Sequence, residues 1–356
     1  MGLSGGVDSS VSAALLKDAG YDVTGVFIKA WHPDFLPCTW QDEKRDAMRV
    51  CAALDIPFML CDAEEAYKKD VVDYMIAEYK KGRTPNPDVM CNKYVKFGVF
   101  FDFAMAHGAD FVATGHYAQT DATAQIPGRS LEISSDTEKD QTYFLWTLSS
   151  EQIAKTLFPI GHLQKSKVRK LAEKYGLHTF EKKDSQGLCF MGKVDLKEFL
   201  AHYIDTKKGK VLDDKGTVVG THDGAVFYTI GERHGFTIDS DIKTAKDTPY
   251  YIVSKDLKKN TIIVSHSKPE ENDDFGTRTV KLEECNFTRE ILIGETYAAR
   301  LRYRQDYQEC RFTGLTRNKN GSIEATVEFA DLQQAVPGQS VVIYDRDLCI
   351  GGGIVQ

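Results

Sequence analysis

The sequence predicts an α/β chain: a doubly wound parallel-sheet domain, then a small central domain, then a C-terminal β-barrel. Three observations carry this reading. Apolar strand-like runs alternate with helical periodicity over the first part of the chain. Beyond about Lys197 the texture changes to short extended runs separated by Gly and Asp. The final stretch shows period-two patterning.

Each element follows in order. Val11, Ala14 and Leu15 share one helical face, Val23 to Ile28 reads as a strand, Ala47, Val50, Cys51 and Leu54 mark a second helix, and Pro57 to Cys61 a second strand. This is the rhythm of βαβ units, whose buried parallel strands read as continuous apolar runs. A helix with Val71, Val72, Met75, Ile76 and Tyr79 follows, then one across Phe97 to Ala106, then a buried strand at Asp110 to Thr114. After Thr120 the pattern loosens: Leu131 to Ser134 suits a strand, and Glu151 to Leu157 and Ser166 to Tyr175 suit helices, the latter closed by Gly176. The first domain is expected to span 1–196. Runs such as Lys210 to Gly216 and Val226 to Gly231 place a central domain at 197–268. The polar, turn-rich stretch that starts at Lys268 leads into a barrel at 269–356, with strands at Thr279 to Phe287, Tyr297 to Tyr303, Ser322 to Phe329 and Ser340 to Tyr344.

Composition narrows the function classes. The 356 residues are 42% hydrophobic and 27% charged, and no apolar run approaches the roughly 18 residues that suggest a membrane span. Forty-five Lys and Arg against 52 Asp and Glu give a net charge of −7, which excludes a uniformly basic surface and leaves local basic patches open. The eight cysteines include no C-x-x-C pair, so no metal site is expected. Met1 to Ser4 have neither a basic nor a long apolar leader, so a reducing cytoplasm is the expected compartment, where any disulfide would be transient.

Ser4-Gly5-Gly6-Val7-Asp8-Ser9-Ser10 opens directly into a helical pattern. Unfilled N–H groups and the dipole at a helix N-terminus attract anions, and two glycines allow close approach of phosphate. The loop lacks the lysine of a Walker A motif, so it is a different phosphate loop. The plainer alternative is a turn with Asp8 or Ser9 as a helix cap.

Thr84-Pro85-Asn86-Pro87-Asp88-Val89-Met90-Cys91 is a rigid turn entering a helix, which puts Asp88 and Cys91 near a helix start that favours a thiolate. Cys189 lies in a loop flanked by Gly187 and Gly192, with Lys182 and Lys183 nearby. Cys51, Cys61, Cys285, Cys310 and Cys349 sit in apolar patterns and read as core, while Cys38 has no clear place.

The segments SGGVDSSV, RTPNPDVMCNKYVKFG, ATGHYA, KDQTYFL, KKDSQGLCFMG, LRYRQ and PGQSVVIY occur in order along nearly the whole chain. With them the chain resembles the tRNA-specific 2-thiouridylases, a family of the ATP pyrophosphatase (PP-loop) superfamily. The resemblance implies a PP-loop ATPase domain of the adenine nucleotide alpha hydrolase-like fold, and ATP with Mg2+ as cosubstrate. It implies that ATP adenylates the C2 oxygen of the wobble uridine, and that sulfur carried as a persulfide on Cys189 displaces AMP. Cys91 would end in a disulfide with Cys189, and Asp88 would serve as acid/base partner near the uracil. The same resemblance places Gly2, Leu3, Ser4, Gly5, Gly6, Val7, Asp8, Ser9, Ile28 and Gly115 around ATP. It places Asn86, Pro87, Asp88, His116, Lys139, Asp140, Gln141, Arg302, Tyr303 and Gln339 at the tRNA. Partners implied are the anticodon arm of tRNA and a sulfur-relay donor protein, with no membrane, and the chain is expected to be a monomer. Family members carry an apolar strand ahead of the phosphate loop, whereas here only Met1, Gly2 and Leu3 precede Ser4, so a truncation or misassigned start is expected.

Charge is unevenly distributed. Between Gly161 and Lys210, twelve Lys and Arg face six Asp and Glu, a stretch suited to RNA phosphate. Arg300, Arg302, Arg304 and Arg311, interleaved with Tyr303 and Tyr307, offer the barrel phosphate and stacking partners. Glu232 and His234 stand where the family tends to have an amide and a cation, which weakens the expectation of RNA contact there. The rival readings are another PP-loop ATP pyrophosphatase, such as an amidating ligase, and a catalytically silent tRNA-binding paralogue.

Overall fold

The computed structural model describes residues 1–36, 40–120, 130–182, 195–239 and 249–356. The first element is helix α1 (Val7–Asp18), followed by β1 (Gly25–Lys29), α2 (Trp40–Ala53) and β2 (Phe58–Asp62). A long helical stretch comprises α3 (Glu64–Ala66), π-wound turns at Tyr67–Asp73 and α4 (Tyr74–Lys80); a second comprises α5 (Pro87–Met90), π-wound turns at Cys91–Val99 and α6 (Phe100–Ala106). Then come β3 (Val112–Ala113), β4 (Gln119–Thr120), β5 (Leu131–Glu132), α7 (Ser150–Ala154), β6 (Thr156–Leu157), α8 (Lys165–Lys174) and α9 (Leu196–Ala201).

The parallel sheet is assembled around the first residues of the chain. β1 pairs with β2, and β3 pairs with β6, each in parallel. Gly2 bridges the two pairs: it forms a parallel bridge with Val26, and its N–H donates to the Ala113 carbonyl at 2.9 Å. Short as it is, the segment before Ser4 therefore occupies the middle of the sheet. Alternation along β1 sends Val26 and Ile28 to a core shared with Tyr67, Phe97 and Phe100, and Phe27 to one shared with Val11, Val50 and Val168. Helices cover both faces, as a doubly wound sheet requires.

The central unit holds β7 (Gly209–Leu212), β8 (Val218–His222), β9 (Thr237–Ile238), β10 (Tyr251–Asp256) and β11 (Thr261–Ser265) in the order β10-β11-β7-β8-β9. The last unit holds β12 (Thr277–Phe287), β13 (Thr296–Arg300), β14 (Gln308–Arg317), β15 (Ile323–Gln333), β16 (Ser340–Asp345) and β17 (Leu348–Val355). Antiparallel pairing runs β12-β15-β14-β13-β16-β17, and β17 returns to β12, closing a six-stranded barrel that leaves no free edge among these strands.

Five elements differ from the sequence reading. Thr156 and Leu157 form a strand rather than the end of a helix, because α7 stops at Ala154 with Lys155 as its C-cap and the pair completes the ladder with β3. Leu131 and Glu132 form a strand, but with β4 they extend the barrel sheet through β17. Ala225–Phe227 is a short 3-10 turn instead of an extended run; the chain reaches it through Gly224 at φ +136°, and Asn260 caps the Ala225 N–H. β14 and β17 escaped notice because a register shift beside Gly314 and the run Gly351 to Gly353 break the alternation that pattern reading needs.

The units are fastened to one another. Tyr143 donates from its buried hydroxyl toward the barrel carbonyls of Leu301 (3.2 Å) and Ser340 (3.0 Å). Arg83 bonds Glu78 at 2.6 Å, pairs with Glu283, and reaches the Val355 carbonyl at 3.1 Å. Tyr143→Phe removes the donor but keeps the shape, so a loss of about 1–3 kcal/mol is expected. Chemical denaturation measures it, and a variant with unchanged midpoint would show that the tyrosine only fills space.

Candidate active site

At the phosphate loop, Gly6 is the N-cap of α1 and Gly5 has φ +68°. A Cβ at Gly5 would stand 2.6 Å from the Glu43 carbonyl oxygen, so both conformation and space demand glycine. Hydroxyls brace the turn: Ser4 and Ser9 Oγ are 3.2 Å apart, and Ser9 and Ser10 donate to the Gly6 carbonyl at 3.1 and 2.7 Å. Leu3 and Val7 are buried beneath the loop, and Ile28 is buried at the end of β1. The residues expected around ATP thus lie at the carboxyl ends of the central strands.

Cations missed by motif reading gather here. Lys165 donates to both Asp8 carboxylate oxygens at 2.7 Å, and the Tyr117 hydroxyl donates to Asp8 at 2.9 Å. Lys182 donates to the Gly5 carbonyl at 3.0 Å and to Asp46 at 2.9 Å, and Asp46 also meets His178 at 3.3 Å. Burial alone would raise the Asp46 carboxyl, but hydrogen bonding and charge from Lys182 and His178 hold it below the ordinary value. In the sequence Lys165 stands out only as part of a basic stretch and Lys182 also as a cation near Cys189; nothing local marks their partners.

The two-proline turn is locally coded. Asn86 caps α5 by accepting from the Val89 N–H at 3.3 Å, and Pro87 takes the first helical position, where no N–H is needed. Asp88 follows, and Cys91 lies one turn later, fully buried. The barrel and the central unit hold the turn from behind. Thr84 N–H donates to Pro337 O at 2.8 Å, Gln339 Nε2 donates to Thr84 O at 2.8 Å, and the Thr84 and Thr229 hydroxyls are 3.2 Å apart. Gln339 therefore meets the turn itself.

Gly115 and His116 connect the two centres. A Cβ at Gly115 would lie 2.7 Å from the Ser9 backbone nitrogen, so the ATGHYA segment packs directly on the phosphate loop. The next residue, His116, is buried with its ring nitrogens 2.8 Å from Thr114 Oγ1 and 3.3 Å from Lys96 Nζ. Lys96 lies five residues beyond Cys91 on the same helical stretch.

Burial, and then the charge of Lys96, hold the His116 imidazole well below its usual value. The folded chain refuses a proton that the unfolded chain accepts near pH 6.5, so this contribution to stability is present above that pH and is lost as pH falls below it. We expect wild type to lose up to about 1.4 kcal/mol per pH unit more than His116→Gln between pH 6.5 and 5. Denaturant titrations measure this; parallel pH profiles would refute it.

Other expected tRNA contacts are placed variously. Asp140 is buried and accepts from Thr142 Oγ1 at 2.8 Å and Ser134 N at 3.1 Å, with Arg300 of the barrel at 3.4 Å; burial raises its carboxyl pKa despite these bonds. Gln141 accepts the Tyr117 N–H at 2.9 Å, and Lys139 is half-buried beside it in sequence. Both Asp140 and Gln141 thus serve internal bonds. Tyr303 packs on Phe144 with ring centroids 4.6 Å apart, whereas Arg302 is exposed and pairs with Glu270 at 3.1 Å. Cys189, Lys183 and Cys38 lie outside the described residues. Burial pushes the Cys51 and Cys61 thiols up to about 11 and those of Cys285 and Cys310 up to about 12, as expected of inert core thiols. No helix among the described residues is long and apolar enough to cross a membrane.

Comparison with known proteins gives three consecutive family-model matches: a tRNA methyl transferase HUP domain over 1–193, a tRNA methyl transferase PRC-barrel domain over 197–266, and an aminomethyltransferase β-barrel domain over 277–355. The tRNA-specific 2-thiouridylase MnmA of Francisella tularensis subsp. holarctica (strain FTNF002-00 / FTA) is 42% identical over 362 residues, covering 100% of this chain and 98% of the relative. That of Streptococcus pyogenes serotype M3 (strain ATCC BAA-595 / MGAS315) is 44% identical over 361 residues, covering 100% and 94%. Among solved structures, the NH3-dependent NAD synthetase from Campylobacter jejuni matches at 19% identity and a TM-score of 0.30, covering 52% of this chain and 67% of that one, a likeness too distant to support an argument.

Proposed function

The chain belongs to the tRNA-specific 2-thiouridylase family, and from that premise we propose that it transfers sulfur, at the expense of ATP, to C2 of the wobble uridine of tRNA. The observation that carries the reading is the contact path from Ser9 through Gly115 and His116 to Lys96, on the helical stretch that holds Asp88 and Cys91. A nucleotide on the loop and a base at the turn would be neighbours.

In this reading Gly2 to Ser9 receive the triphosphate, which would bring its Mg2+ with it, and Ile28 and Gly115 border the nucleotide. The uridine O2 attacks the α-phosphorus and pyrophosphate leaves, which converts a poor leaving group into AMP. The terminal sulfur of a Cys189 persulfide, charged by a donor protein, attacks C2 and expels AMP. Cys91 then attacks the Cys189 sulfur, freeing 2-thiouridine and leaving a Cys91–Cys189 disulfide that an external thiol reduces; alternatively, Cys91 first frees sulfide. Asp88 handles the proton, and Asn86 and Pro87 shape the base pocket. The disulfide requires Cα atoms roughly 4.4 to 6.8 Å apart at that step. Three units with boundaries near 196 and 268, acting as a cytoplasmic monomer, complete the proposal.

Incubation of wobble-uridine tRNA with ATP, Mg2+ and a persulfide source should yield 2-thiouridine with one AMP and one pyrophosphate per modified base, read by nucleoside mass spectrometry. Binding of tRNA without AMP release would instead leave a silent binding protein.

A further inference from the structure

Three lysine pairs, far apart in sequence, converge on one cleft between the nucleotide-binding and central units. Lys80-Lys81 end α4, Lys207-Lys208 lead into β7, and Lys258-Lys259 form the turn between β10 and β11; all six are exposed. A cavity of about 420 Å3 lies among them. Lys80 and Lys207 stand on its rim, and Ile204, Val226 and Leu257 form an apolar floor.

The convergence is structural. Asn260 Nδ2 donates to the Lys207 carbonyl at 2.8 Å, tying the third pair to the second, and Thr261 pairs with Lys210 in register. Leu257 packs against Gly82, where a Cβ would stand 2.8 Å away, which ties the third pair to the first. Three carboxylates lie nearby: Asp205 on the rim, Asp256 at 3.8 Å from Lys259, and the buried Glu78, which pairs with Lys81 at 2.8 Å and with Arg83 at 2.6 Å. The exposed Lys259–Asp256 pair is easily exchanged for another anion. Lys81 is five residues before Asn86, at most about 18 Å of chain from the two-proline turn.

We infer that this cleft is a phosphodiester-binding site that grips the backbone of the substrate tRNA beside the base-receiving turn. The inference rests on the tRNA-thiolation reading. An RNA backbone fits better than an acidic protein because Lys80 and Lys207 line the cleft, and the exposed Lys81, Lys208, Lys258 and Lys259 adjoin its lining residues in sequence, on segments tied to one another a few residues from the turn that would hold the target base. Contacts of this kind position the nucleic acid without reading sequence.

The test replaces one lysine from each pair, Lys80→Gln, Lys207→Gln and Lys258→Gln together. The charge-matched control is Lys155→Gln, Lys281→Gln and Lys319→Gln, all exposed positions elsewhere. The cleft variant should raise the tRNA Kd at least tenfold at moderate salt and make the slope of log K against log salt shallower by about 2 to 3, while the control stays within twofold of wild type. Melting temperature and affinity for a fluorescent ATP analogue, unchanged in the cleft variant, show that the fold is intact. Equal losses in cleft and control variants, or an unchanged Kd and slope in the cleft variant, overturn the inference; the latter is also the result expected if the cleft takes an acidic protein. Wild-type protein that neither binds nor thiolates tRNA overturns the underlying reading instead.

Discussion

Cys189→Ser abolishes formation of 2-thiouridine, by on the order of a thousandfold or more, while pyrophosphate release persists as a single burst. The reason is chemical: serine cannot carry a persulfide sulfur, yet it leaves the phosphate loop and the activating step untouched. Cys91→Ser should fail as completely, but with a different residue of chemistry. If the persulfide attacks C2 directly, the tRNA remains joined to Cys189 through a disulfide that Cys91 would have cleaved, and a nonreducing gel shows a covalent adduct that thiols release as thiolated tRNA. Loss of activity without an adduct assigns Cys91 to sulfide release. Full turnover in either variant would remove sulfur relay through these two cysteines.

Gly115→Ala should lower ATP affinity at least tenfold. Its new methyl group would lie 2.7 Å from the Ser9 nitrogen and 2.9 Å from the Asp8 carbonyl carbon, both backbone atoms of α1, so no side-chain rotation relieves the clash. The loop must shift, at a cost of about 1–3 kcal/mol, and the N–H groups that would meet phosphate shift with it. Titration with a fluorescent ATP analogue, alongside melting temperature, reads the effect. Wild-type affinity would mean that the ATGHYA segment can retreat without disturbing the nucleotide seat.

The division between what could be read early and what could not follows the range of the interactions. The phosphate loop, the Asn86 cap and the Pro87 helix start are legible because a few consecutive residues satisfy one another: Ser9 and Ser10 bond Gly6, and Asn86 bonds Val89. The βαβ rhythm was equally plain, since a strand covered on both faces is written as an apolar run. β17 was not legible, because its glycines carry no alternating side chains.

Taken by itself, the sequence determined the fold class, the family and the identity of the loops, all of which depend on local patterns and ordered motifs. Only the tertiary structure decided how those loops meet. Lys165 reaches Asp8 across 157 residues, Lys182 reaches Gly5 across 177, and Gln339 reaches Thr84 across 255. It also turned Asp140 inward, toward Thr142 and Arg300, and gathered three lysine pairs around one cleft. The physical reason is that a charge's partner is chosen by chain folding: a lysine reads the same in sequence whether it meets a carboxylate, a carbonyl or solvent.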